Sequence, residues 1–203
     1  MPETFPQFSV TGLILAGGRG RRMGGEDKGL LPLGQRPALE YLIEALATQT
    51  DALLISANRN IDQYRRYGYP VVRDAQADFA GPLAGLLAAL RHCRTDYLLC
   101  VPCDAPLLAP DYAARMRAAL QASAAAACVA HDGEREQPVH LLLASSLATG
   151  LERFLASGQR KVLDWLHTLH PAQADFSDHP EQFWNMNTPE QRLCLEQYLA
   201  RSR

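Results

Sequence analysis

The chain has little net charge of either sign: 20 Lys and Arg against 22 Asp and Glu leave −2 at pH 7. With no global basic field, nothing asks for nucleic acid, and any anion site has to be local. Cysteine is sparse too. The five present (Cys93, Cys100, Cys103, Cys128 and Cys194) are too few, and odd in number, for a secreted disulfide scaffold in 203 residues, which points to a reducing cytoplasm. No run approaches the roughly 18 apolar residues that a membrane span needs. The start, with Pro2, Glu3 and Pro6, lacks the apolar stretch of a signal peptide, so residues 1–8 read as a flexible tail and 9–203 as a single domain. What remains is an ordinary globular composition, 47% apolar and 21% charged, long enough to bury a sizeable core.

Short apolar runs alternate with helical patterns. Val10 to Ala16 reads as a buried strand. Pro37 to Gln49 reads as a helix, because Leu39, Leu42, Ile43 and Leu46 fall on one face. A strand at Ala52 to Ala57, a short helix at Ile61 to Tyr67 and a strand at Pro70 to Arg73 follow. Gly81-Pro82 opens a helix with the stripe Leu83, Leu86, Leu87 and Leu90. Asp96 to Val101 is a fourth strand and Pro110 to Ala122 a further helix. This βαβα order predicts an α/β, Rossmann-like fold with a mostly parallel central sheet and helices on both faces. The second half is less regular: strands at Ala125 to Ala130 and Gln137 to Ala144 around Asp132-Gly133, helices near 145–157 and 160–168, and a last helix toward Ala200. Thr188 and Gln191 have the spacing of a capping box for that last helix.

The stretch from Leu15 to Lys28 carries the most information. It holds five glycines within nine residues, Gly17 to Gly25, directly after the first strand, and ligands of open parallel sheets bind beyond the carboxyl ends of strands. Glycines let backbone N–H groups approach phosphate oxygens, and Arg19, Arg21, Arg22 and Lys28 add cationic donors. No Gly-Lys-Ser/Thr closes the loop, so it is not a Walker A motif. Met23 stands where a dinucleotide fingerprint needs glycine or alanine, so hydride transfer loses support as well. A mononucleotide site of another kind remains.

Phosphoryl chemistry on a nucleoside triphosphate usually needs a divalent cation. Asp104, in Pro102-Cys103-Asp104, falls at the end of the fourth strand on the same rim as the glycine loop; the bland alternative is a turn cap before Pro106. Asp74 ends the third strand, and Ser56 and Asn58 lie near the end of the second.

With these residues assembled, the chain resembles the molybdenum cofactor guanylyltransferases (MobA) over nearly its whole length. The resemblance rests on Leu15-Ala16-Gly17-Gly18, Arg21-Arg22-Met23-Gly24-Gly25, Asp27-Lys28-Gly29-Leu30 and Ala57-Asn58-Arg59. It continues through Asp74, Gly81-Pro82-Leu83-Ala84-Gly85, Pro102-Cys103-Asp104, His131-Asp132-Gly133-Glu134 and Asn185-Met186-Asn187-Thr188-Pro189-Glu190. It implies GTP and the molybdenum cofactor as substrates and Mg²⁺ as metal. It assigns nucleotide binding to Leu15, Ala16, Gly17, Gly18, Lys28, Ser56, Asn58, Asp74 and Asp104, with Asp104 also the metal ligand. Arg22, Lys28 and Asp104 would carry catalysis. Gly81, Gly85, Asn185 and Asn187 would face the cofactor substrate. Ser56 departs from the pattern, standing where the family has asparagine, and serine reaches less far. A cytidylyltransferase for the same cofactor, a sugar-nucleotide pyrophosphorylase and a non-catalytic cofactor carrier are the rivals. Transient contacts with molybdoenzymes or their chaperones are a further expectation.

Other features invite less. Cys100-x-x-Cys103 has metal or redox spacing but no second pair, and reads as buried structural thiols. His167 and His170 read as surface or capping histidines at a helix end, without an obvious grouped carboxylate. Trp165 and Trp184 read as packing anchors, and Arg91, Arg94, Arg115 and Arg117 as solvated helix faces.

Overall fold

The computed structural model describes residues 8–16, 27–74 and 81–201. The first buried run is β1 (Val10–Leu15), and a short 3₁₀ turn follows at Lys28–Leu30. A two-stranded hairpin, β2 (Pro32–Leu33) with β3 (Arg36–Pro37), leads into α1 (Ala38–Ala47), β4 (Ala52–Ser56), α2 (Ile61–Arg65) and β5 (Val71–Val72). Then come α3 (Pro82–His92), β6 (Tyr97–Pro102), α4 (Tyr112–Ser123), β7 (Ala127–His131) and β8 (Glu136–Ala144). The chain closes with α5 (Ala148–Ala156), α6 (Val162–His167), β9 (Ala172–Asp175) and α7 (Pro189–Arg201).

The main sheet has the order β5-β4-β1-β6-β8-β7-β9. Every neighbouring pair is parallel except those made by β8, which runs antiparallel to both β6 and β7. The reversal comes from the turn at Asp132, whose Oδ1 accepts the N–H groups of Glu134 and Arg135, each at 2.8 Å. Apolar side chains fill both faces. On one face α1 and α4 bring Leu39, Leu42, Leu46, Tyr112 and Met116 against Ile14, Ile55 and Val101. On the other, α3, α5 and α6 bring Leu86, Leu90, Leu151 and Trp165 against Leu13, Leu98 and Leu141. Burying one such leucine contributes roughly 1.5–3 kcal/mol. The mostly parallel α/β architecture expected from the βαβα order is therefore present.

Differences from the sequence reading have local causes. β9 has the sequence Ala-Gln-Ala-Asp, with alternate residues buried; its apolar face is only alanine, too weak a signal to read. The hairpin of β2 and β3 is two residues per strand, shorter than any pattern window. Helix α1 ends at Ala47, two residues before Gln49, whose side chain bridges the helices: Nε2 donates to the Ala45 carbonyl at 3.1 Å and Oε1 accepts the Ala113 N–H at 2.9 Å. The capping box is only half formed. Thr188 Oγ1 accepts the Gln191 N–H at 3.3 Å, but Gln191 Oε1 reaches one residue further back, to the N–H of Asn187 at 2.9 Å. Phe8, assigned to the tail, packs on Tyr97 with ring centroids 4.2 Å apart, and its carbonyl accepts from Arg117.

Candidate active site

Parallel pairing puts the carboxyl ends of four strands in one row. Leu15 of β1 is in register with Ser56 of β4 and with Pro102 of β6, and Ser56 is in register with Val72 of β5. One or two residues beyond this row lie Ala16, Asn58, Asp74 and Asp104. Sheet geometry alone thus gathers residues scattered over 90 positions.

Two clusters form on this rim. At the end of β6, Lys28 Nζ donates to Asp104 Oδ2 at 2.8 Å and also to Asn187 Oδ1. The Lys28 and Asp104 side chains each keep 21% of their surface open, so an incoming anion can reach them. Asp104 also anchors a neighbouring segment through its backbone. Its backbone carbonyl accepts the Met186 N–H at 2.7 Å, which stitches the segment carrying Asn185 and Asn187 onto the strand end. Asn185 turns instead to its own segment, Nδ2 donating to the Phe183 carbonyl at 3.2 Å.

At the ends of β4 and β5, Asn58 and Asp74 hold each other. The Asn58 amide donates to Asp74 Oδ2 at 2.8 Å, and the Asp74 N–H donates to Asn58 Oδ1 at 3.0 Å. Among the described residues, Asp74 Oδ1 and the Ser56 hydroxyl are buried without a hydrogen-bond partner. Burial raises the Asp74 carboxyl above its ordinary value, and the Asn58 amide only partly opposes this. Gly85 of α3 lies directly against this pair. A Cβ there would stand 2.7 Å from Ser56 Oγ, 2.8 Å from Leu15 Cδ2 and 3.6 Å from Asp74 Oδ1. Gly85, expected on the cofactor side, therefore sits with Ser56 and Asp74, whereas Gly81 precedes α3 with open space around it.

Gly17, Gly18, Arg19, Arg21 and Arg22 lie outside the described residues. Among the described ones, no group of three or more His, Cys, Asp or Glu could by itself hold a metal ion. A hard cation shared between one carboxylate, Asp104, and phosphate oxygens fits this donor set, since Mg²⁺ typically takes one or two carboxylates plus phosphates and water. Cys100 and Cys103 are buried, and burial pushes both thiols up, so the pair stays neutral and structural.

Several side readings change. His167 Nε2 does have a carboxylate, Glu136, at 2.7 Å. Trp165 is buried as expected, but Trp184 is 45% exposed, with its ring edge-on to Tyr198. Arg115 is not merely solvated: it forks onto Asp178 at 2.6 and 2.8 Å and pairs with Asp111. Tyr64 and Asp27 were missed as site-building residues. Asp27 is buried before Lys28, and its Oδ1 accepts the Tyr64 hydroxyl. The sequence placed Asp27 in the Asp27-Lys28-Gly29-Leu30 motif but gave no sign that its side chain turns inward.

The carboxyl ends of the parallel strands thus carry a lysine paired with one aspartate and a second, desolvated aspartate, and the chain's relatives make it a nucleotidyltransferase. Residues 12–172 match the MobA-like NTP transferase domain. A molybdenum cofactor guanylyltransferase of Shewanella loihica is 46% identical over 191 residues, which is 94% of this chain and 97% of that one. The chain belongs to the MobA-like NTP transferases and, within them, to the molybdenum cofactor guanylyltransferases. Solved structures agree on the fold. Molybdopterin-guanine dinucleotide biosynthesis protein A from Archaeoglobus fulgidus superposes with TM-score 0.78 at 24% identity, over 94% of this chain and 99% of that one. A Mycobacterium tuberculosis protein in complex with manganese superposes with TM-score 0.67 at 17% identity, over 93% and 98%.

Proposed function

We infer that the chain transfers GMP from GTP to the terminal phosphate of molybdopterin in the molybdenum cofactor, releasing pyrophosphate. The observation that carries the residue assignment is the lysine held at one strand end by Asp104 and Asn187, on the same rim as Ser56, Asp74 and the closely approaching Gly85. A terminal phosphate oxygen of the cofactor forms a bond to the α-phosphorus of GTP. The bond to the β-phosphate bridging oxygen breaks, and its electron pair leaves with pyrophosphate. Lys28, with Arg22 and the loop glycines Gly17 and Gly18, orients the phosphates in line. Leu15 and Ala16 present the strand end to the nucleotide. Ser56, Asn58 and Asp74 bind its base and ribose, with Ser56 Oγ and Asp74 Oδ1, unpaired among the described residues, offering hydrogen bonds to it. Asn185 and Gly81 face the pterin.

Asp104 would hold Mg²⁺ together with phosphate oxygens. Bound there, the ion would neutralise charge that develops as pyrophosphate leaves. Phosphate is nucleophilic at neutral pH, so the step needs no Ser-His or Cys-His pair. Among the described residues no helix is long and apolar enough to cross a membrane, and a cytoplasmic enzyme that hands its product to molybdoenzymes or their chaperones accords with this reading.

Pyrophosphate release with molybdenum cofactor and Mg²⁺, compared for GTP and CTP, tests it. Release with GTP is the expected result. Release with CTP alone would keep the chemistry and overturn the base, making Ser56 the first residue to examine. Release with neither would favour a carrier.

A further inference from the structure

We propose that Tyr64, acting through Asp27, is a positioning residue for Lys28. The proposal rests on the guanylyltransferase reading and deepens it. Asp27 and Lys28 are chain neighbours whose side chains go to different places. Lys28 reaches out to Asp104 and Asn187. Asp27 turns into the protein, where only 8% of the residue is exposed. There its Oδ1 accepts the hydroxyl of Tyr64 and its Oδ2 accepts the Asn60 amide at 3.2 Å. Its backbone carbonyl accepts the Leu30 N–H at 3.0 Å and so starts the 3₁₀ turn that carries the lysine.

Tyr64 is completely buried in α2, so its hydroxyl is a fixed point. Burial, with Cys103 and Asp27 close by, holds the phenol well above its ordinary value. It therefore remains the donor and the carboxylate the acceptor. Asn60 stands just before α2 in the left-handed region, φ 50°, and directs its amide to the same carboxylate. Gly29 makes the approach possible: a Cβ there would stand 2.8 Å from the Tyr64 hydroxyl. Each residue of Asp27-Lys28-Gly29 thus has a separate task, as anchor, ammonium and clearance.

The physical need is plain. A lysine has a flexible four-carbon stem, so the place of its ammonium depends on how firmly its own backbone is held. Hydrogen bonds to a buried carboxylate are charge-assisted and strong, and they hold the backbone at the residue before it.

The test compares GTP affinity and steady-state turnover for wild type, Tyr64→Phe, Lys28→Met and the double variant, each with a melting curve. Tyr64→Phe keeps the ring and removes only the hydroxyl. With Lys28 present, GTP binding is expected to weaken about tenfold and kcat to fall by a similar factor. In the Lys28→Met background, the same change should cost no further GTP affinity. Asp27→Asn, which keeps an acceptor for the tyrosine, should retain more turnover than Asp27→Ala. Wild-type affinity and kcat in Tyr64→Phe would overturn the proposal. So would an equal loss of affinity with and without Lys28, which would mark a general structural defect. Should Tyr64→Phe fail to fold, Asn60→Gly removes the other hydrogen bond to Asp27 while keeping the left-handed backbone, and the same cycle is read on it. A wild type that binds no GTP would instead sink the guanylyltransferase reading underneath.

Discussion

The two ends of the main sheet treat buried polar groups differently. Around β7, β8, β9 and α4, polar atoms sit inside an aromatic cluster and are mostly paired. Tyr112 stacks on Phe176 at 4.9 Å and shares a hydrogen bond with His140 Nδ1 at 3.2 Å, while Phe183 meets the His140 ring edge-on. Gln182 uses its carbonyl on the Ala109 N–H and leaves only Nε2 unmatched. Around β4, β5 and α3, by contrast, Ser56 Oγ and Asp74 Oδ1 both lie buried, unmatched among the described residues, within reach of one glycine. Leaving such a group unpaired costs roughly 1–3 kcal/mol. The distal end is organised for stability. The opposite end, where we propose that the nucleotide binds, carries polar atoms with no partner among the described residues.

The sharpest way to break this contrast is at the phosphate cluster. Lys28→Ala should lower kcat by about a thousandfold, in line with the loss of a transition-state donor, and leave a cooperative melt, because the side chain lies on the open rim. Loss of the melt together with activity would make Lys28 structural and erase the difference between the two ends.

Next comes the close approach at α3. Gly85→Ala puts a methyl group 2.7 Å from Ser56 Oγ and 2.8 Å from Leu15 Cδ2, so α3 or the strand ends must shift. A stability loss of about 1–3 kcal/mol is expected, with a larger rise in the KM for GTP than the fall in kcat. Urea titration and steady-state kinetics on one preparation read both. An unchanged KM would separate Gly85 from nucleotide binding.

Asp74→Asn removes a charge that burial disfavours while preserving shape. GTP affinity should fall about tenfold, and Tm should hold or rise. A clear fall in both would place Asp74 with the structural groups of the distal end.

The distal end makes its own prediction through pH. Burial pushes His140 down to about 3, so it is neutral in the fold and charges in the unfolded chain at an ordinary value near 6.5. A lowered folded value means stability is complete above pH 6.5 and drains away as pH falls toward about 3. The slope from this one group approaches roughly 1.4 kcal/mol per pH unit. Denaturant midpoints between pH 7 and 4 for wild type and His140→Gln should differ in slope, and parallel curves would remove His140 as the cause.

How much could be read beforehand follows from the range of each signal. The βαβα order was legible because leucine stripes and apolar runs are local. Glycines, Lys28, Asp74 and Asp104 stood out as residue types that chemistry demands at strand ends. β9 was not legible, since four residues of Ala-Gln-Ala-Asp become a strand only when β7 offers a free edge. Tyr64 lies within the short helix read at Ile61 to Tyr67, with no signal of its own. Its role depends on meeting Asp27, 37 residues earlier.

The sequence by itself determined the class of fold and the chemical inventory of a nucleotidyltransferase, because periodicity and residue type are written within a few residues of each other. Only the tertiary structure decided which of those groups meet: Asn187 on Lys28, Gly85 on Ser56 and Asp74, and Met186 tied to Asp104. Such contacts join positions up to 159 apart. They are set by parallel strand register and by helices packing against a common sheet, and neither can be computed from any short stretch of chain.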